Sequence, residues 1–80
     1  MNNKDYEEPL FPIREYSKLE LAILYSPRLT TDTAVRKLHR WINLIPALVE
    51  ELRAVGYRPA CHTLTPRQVE IIVRYLGAPG

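Results

Sequence analysis

Three cations crowd a short stretch of this chain, at Arg36, Lys37 and Arg40, with Thr33 and Asn43 on either side. On a helix this spacing gathers all five side chains along one face. Guanidinium and ammonium groups bond phosphate oxygens and guanine edges, and hydroxyl and amide groups add further hydrogen bonds to a nucleic-acid backbone. Thr33, Arg36, Lys37, Arg40 and Asn43 are therefore the candidate nucleic-acid-binding set. The bland alternative for the same residues is a solvated charged face.

Other reactive side chains are sparse. Cys61 and His62 are neighbours in sequence, but a catalytic thiol needs a base brought to it in space and an electropositive, partly exposed setting. The other histidine is His39. A structural zinc site takes about four ligands, more than this chain's cysteine and histidines supply. Glu50 and Glu51 are adjacent, so on a helix they diverge and make a poor general acid and base pair. The expectation is a binding protein and not an enzyme, with no metal, no cofactor and no evident small-molecule substrate.

The composition agrees with a small folded body. Eighty residues leave room for one domain, and 46% hydrophobic with 25% charged residues is the balance of a globular protein. Net charge is only +2, short of the strong basic footprint of a dedicated DNA binder. The charge is unevenly placed, however. Four of the nine acids precede Ser17, and the stretch from Ser17 onward carries nine Arg and Lys against five acids. A single cysteine forbids an internal disulfide and fits a reducing compartment. The polar start Met1-Asn2-Asn3-Lys4-Asp5 does not read as a signal peptide, and no apolar run approaches the roughly 20 residues of a membrane span. Cytoplasmic location, with no membrane partner, is the expectation.

The elements that must position the basic residues are well punctuated. Residues 1–8 read as a flexible tail and 9–80 as a single helical domain. Residues 9–16 hold two prolines among apolar side chains, which favours an extended strap anchored by Leu10, Phe11, Ile13 and Tyr16. Ser17 and Glu20 have capping-box spacing and open a helix near 18–25. This helix is apolar almost all round and is expected to sit centrally. Thr30 or Thr31 caps a second helix near 32–43, with Ala34, Val35, Leu38, Trp41 and Ile42 as its inward stripe. Pro46 starts a third helix near 46–55, and Gly56 with Tyr57 suits a Schellman ending. Thr65, Pro66 and Gln68 open a fourth near 66–76, with Leu64 and Val69 placed as a hydrophobic staple and Val69, Ile72, Val73 and Leu76 facing inward. The fold class is all-α: one compact domain of about four short helices behind a proline-rich strap.

The runs Phe11-x-x-Arg14-x-Tyr16, Glu20-Leu21-Ala22-x-x-Tyr25-x-Pro27 and Leu38-x-x-Trp41-Ile42 form a recognisable pattern. So do Leu52-x-x-x-Gly56-Tyr57, Leu64-Thr65-Pro66-x-Gln68-Val69 and Tyr75-Leu76-Gly77. Together they resemble a family of small uncharacterised Bacteroides-type proteins, a domain of unknown function. The resemblance runs from about Phe11 to Pro79. Its motifs are apolar and capping residues, so it implies a shared fold and carries over no catalytic or binding residue.

Two functions remain open on the residues themselves. Glu20-Leu21-Ala22, a turn, and a threonine-led basic helix resemble a helix-turn-helix, in which the second helix enters the major groove. The turn is longer than the usual 3–4 residues and contains proline with no glycine. The partner on this reading is DNA, bound in a regulatory or accessory role. The alternative is a protein-interaction or dimerisation module. Ile71 and Tyr75 lie beside the main stripe of the fourth helix and would form its apolar edge, docking a second copy or another protein.

Overall fold

A computed structural model describes residues 11–79. The expected tail 1–8 and Leu10 of the strap lie outside the described residues. Four helices occupy most of the described residues: α1 (Lys18–Tyr25), α2 (Thr31–Asn43), α3 (Pro46–Ala54) and α4 (Pro66–Leu76). Two very short strands, β1 (Tyr16–Ser17) and β2 (Thr63–Leu64), pair antiparallel with Tyr16 opposite Leu64 and Ser17 opposite Thr63. The fold is thus mostly helical with one small β clasp, where all-α was expected. Two-residue strands have too little length to show alternation, so the pairing leaves no periodic trace in the sequence.

Capping explains why the helices begin and end where they do. The Ser17 hydroxyl accepts from the Glu20 N–H at 3.0 Å, and the Glu20 carboxylate accepts from the Ser17 N–H, closing the capping box. Thr65 and Gln68 form the equivalent box at the start of α4. Of the two candidate caps for α2, Thr30 is the one used, its Oγ1 accepting from the Thr33 N–H. α3 ends in a full Schellman motif. Tyr57 N–H donates to Leu52 O and Gly56 N–H to Arg53 O, with Gly56 at φ +88°.

The principal packing runs α1 on α2, α2 on α3 and α3 on α4. The β clasp closes this path by joining the strand before α1 to the strand before α4, and the Lys18 N–H extends it by donating to His62 O at 2.8 Å. Inside lie Leu21, Ala22, Leu38, Ile42, Leu48, Leu52, Leu64, Val69 and Ile72, nearly all without solvent contact. Burial at this density supplies most of the stability of so small a domain.

Several packing expectations are corrected. α1 is not buried on most sides: Leu21 and Ala22 are enclosed and Ile23 and Tyr25 pack partly against the core, while Leu19 and Leu24 are exposed. An eight-residue helix against one principal partner covers a single stripe. In the strap, Tyr16 is buried, stacks on half-buried Phe11 at 5.2 Å and donates its hydroxyl to Pro12 O, whereas Ile13 faces solvent. Trp41 is half-buried at the margin of the core. Ile71 is a core residue at 3% exposure. No helix among the described residues is long and apolar enough to cross a membrane.

Candidate nucleic-acid interface

The connection from α1 to α2 is residues 26–30. Ser26 ends α1, its N–H donating to Ala22 O and Ile23 O, and Leu29 N–H returns to Ser26 O at 3.1 Å. This tight turn takes up the proline and delivers the chain to the Thr30 cap. The Thr30 hydroxyl also donates to Thr33 Oγ1 at 2.9 Å, so both threonines are fixed at the head of α2. From there Ala34, Leu38 and Ile42 bury one side of the helix, and geometry turns Thr33, Arg36, Lys37 and Arg40 outward.

These four side chains meet. Together with Leu29 they line a shallow hollow of about 440 Å³ on the outer face of α2. Asn43 is exposed too, but it lies beyond this hollow, two helical turns after Arg36 on the same azimuth. Leu29, half-buried in the connection, forms part of the lining and carried no signal of its own in the sequence. Among the described residues the ion pairs are Arg14–Glu20 and Arg74–Glu51, so none of Arg36, Lys37 and Arg40 is paired with a carboxylate. Asp32 stands at the i−4 position from Arg36 and makes no such pair. The Lys37 ammonium lies 5.1 Å over the Trp41 ring, which packs perpendicular to Tyr25 with ring centroids 6.1 Å apart.

One turn further on, the surface changes character. Trp41, Leu44, Ile45, Tyr75 and Leu76 line an apolar hollow of about 360 Å³ between the C-terminal ends of α2 and α4, and Leu44 is 70% exposed. The expected edge of Ile71 and Tyr75 is therefore rearranged. Ile71 faces the interior, while Tyr75 lines this hollow and donates its hydroxyl to the Glu51 carboxylate. That bond is the leading cause holding Glu51 below the usual carboxylate range, and it raises Tyr75. Burial pushes Tyr25 up to about 12, so it stays a neutral phenol, its hydroxyl donating to Gly77 O.

Cys61 and His62 both line one depression. Lys18 and His39 join Cys61 in that lining. No local pattern announces that grouping, since its members are separated by 21 and 22 residues.

The described residues define a small, mostly helical domain of four helices tied by a short β clasp, with a basic face that no carboxylate pairs among them beside an apolar hollow. The chain belongs to the family described as a domain of unknown function, DUF4248, whose model matches residues 12–79. No curated protein and no solved structure matches the chain.

Proposed function

We propose that this domain binds nucleic acid through the outward face of α2, in the manner of a helix-turn-helix-like regulatory or accessory protein with no catalytic step. The supporting observation is the convergence of Thr33, Arg36, Lys37 and Arg40 on one hollow without a carboxylate partner among the described residues. Cations that a fold leaves without a carboxylate partner along one helix face suit a ligand carrying regularly spaced phosphates, because each contact releases condensed counterions. The threonine-capped start of α2 adds two fixed hydroxyls where a recognition helix meets its target.

The test is the anisotropy of a labelled mixed-sequence DNA duplex titrated with protein over a range of salt. Three phosphate contacts predict a slope of log affinity against log salt of about −3. Absence of binding at low salt, or binding indifferent to salt, overturns the proposal. The apolar hollow around Trp41 and Leu44 favours a second reading, a protein-interaction or dimerisation module. Concentration-dependent self-association that Leu44→Glu removes, in a chain without DNA affinity, would select it.

A further inference from the structure

A depression larger than the hollow on the basic face lies elsewhere on the described residues. It lies where the start of α1, the middle of α2 and the 59–62 turn meet, with a volume of about 680 Å³, within the range of small-molecule sites. At its wall is Lys18, a lysine only 5% exposed. Lysine is almost never this buried without an opposite charge beside it. The Lys18 ammonium has three donors. One goes to the neutral carbonyl of Pro59 at 2.6 Å, and no carboxylate pairs with it among the described residues. The Tyr57 ring lies 5.1 Å from the charge.

A second orphan shares the wall. His39 Nε2 is enclosed and has no hydrogen-bond partner, and a buried polar atom left in that state is rare and costly. Burial, then the Lys18 charge, holds His39 below the usual histidine range. Burial likewise lowers Lys18, while the Cys61 thiol beside it acts in the opposite direction. Neither group is paired with a carboxylate among the described residues, although Asp32 stands elsewhere in the lining. Pinning the turn to α1 needs one donor and no charge, so the clasp to Pro59 does not account for a buried cation without a carboxylate partner among the described residues.

We propose that this depression is a binding site for a small organic anion, a carboxylate or phosphate monoester on an apolar body, anchored by Lys18 and His39. The body rests on Leu19 and Val35, and Arg36 lines the site as a further cation. Asp32 lines it as well and disfavours ligands with a second negative charge at that end. This inference does not depend on the nucleic-acid reading, although Arg36 lines both hollows.

Cys61 lies in the same lining and is the chain's single cysteine, so its alkylation reports occupancy without ambiguity. The experiment follows alkylation of the full chain by iodoacetamide, read by intact mass, with phenyl phosphate, benzoate, benzyl alcohol or a DNA duplex present. Thermal melting with the same four probes reads the same occupancy independently. The expected result is protection by phenyl phosphate or benzoate, about tenfold in rate at ten times the dissociation constant, with a raised melting temperature. Benzyl alcohol, which has the body without the charge, should protect far less. Lys18→Met should weaken the anion's binding about tenfold or more. The wild-type comparison of charged and uncharged probes stands even if that variant fails to fold. Equal protection by benzyl alcohol, or no protection and no melting shift with either anion, overturns the proposal. Protection by the duplex alone also overturns it, since the anchor would then belong to a phosphodiester surface. Whether α2 binds DNA is read separately, by the salt titration.

Discussion

α2 and α4 are built from the same kind of sequence, strongly amphipathic, threonine-capped, and carrying arginines on the outer side. They use their polar groups in opposite ways. On α4, Gln68 is buried and its Nε2 donates to Val55 O at 3.0 Å, while Arg74 and Tyr75 both hold Glu51 of α3. Those polar side chains bind the helix to its neighbour. On α2, Arg36, Lys37 and Arg40 hold no carboxylate at all among the described residues. A helix whose polar groups are engaged by the fold has little left for a ligand, and α2 has kept its own. The difference is invisible in composition, because it depends on which neighbour lies across the interface.

The largest effect should come from reversing charge on each helix in turn. Arg36→Glu with Arg40→Glu should lower duplex affinity about a hundredfold or more at low salt, at roughly 1.5–3 kcal/mol for each charge-assisted hydrogen bond removed. Arg67→Glu with Arg74→Glu on α4 makes the same change in net charge and should cost binding far less. Anisotropy of both double variants decides the matter. Equal losses would mean that overall charge, and no particular face, governs binding.

Next in size is the lock between α4 and α3. Gln68→Ala removes the reciprocal capping bond and leaves Val55 O without its side-chain donor, which should cost about 2 kcal/mol in a urea melt. Thr30→Ala removes one cap from α2 and should cost nearer ~1 kcal/mol. The ordering tests whether polar side chains on α4 carry more of the fold than those on α2. Gly56→Ala should cost about 1–2 kcal/mol, since no atom lies within 4 Å of an added Cβ and only the positive φ resists it. Unchanged midpoints would show that the Schellman ending contributes nothing to holding the Val55 carbonyl in place.

What the sequence makes legible follows the same division. Helix ends are local events, so Ser17 with Glu20, Thr65 with Gln68, and Gly56 with Tyr57 announce α1, α4 and the end of α3 within a few residues of where they fall. The basic face of α2 is legible for the same reason, as a single-helix periodicity. Contacts between distant segments are not. The clasp of Tyr16 with Leu64 spans 48 residues, and two-residue strands carry no alternation. Ile71 looks peripheral on a helical wheel because the wheel assumes one covered stripe, yet Gln68, Val69, Ile71 and Ile72 are all buried on α4. Lys18 lies in the first turn of α1, and its contacts with Pro59 and the Tyr57 ring come from a segment about 40 residues away that no local pattern announces.

The smallest effect, and the one most specific to α4, concerns Glu51. Its carboxyl is held below the usual range, first by the Tyr75 hydroxyl and then by Arg74, with Arg67 contributing at longer range. A carboxyl whose folded pKa is depressed contributes stability above its unfolded pKa, and that contribution is lost as pH falls through the folded value. The window therefore lies on the acid side, below the ordinary range for glutamate. The Tyr75 phenol is raised by the same bond, so its share is present below the usual tyrosine pKa and is lost as pH climbs through the elevated folded one. Tyr75→Phe should consequently move the Glu51 carboxyl upward in an NMR titration and flatten the dependence of stability on pH at both ends. Because the pair is exposed to solvent and salt, the change at neutral pH should be slight. DNA affinity should be untouched, since Tyr75 lies beside the apolar hollow and apart from Arg36, Lys37 and Arg40. A Glu51 titration that ignores the loss of the hydroxyl would leave Arg74 as the sole tie there, and α4 would then resemble α2 more closely than its hydrogen bonds suggest.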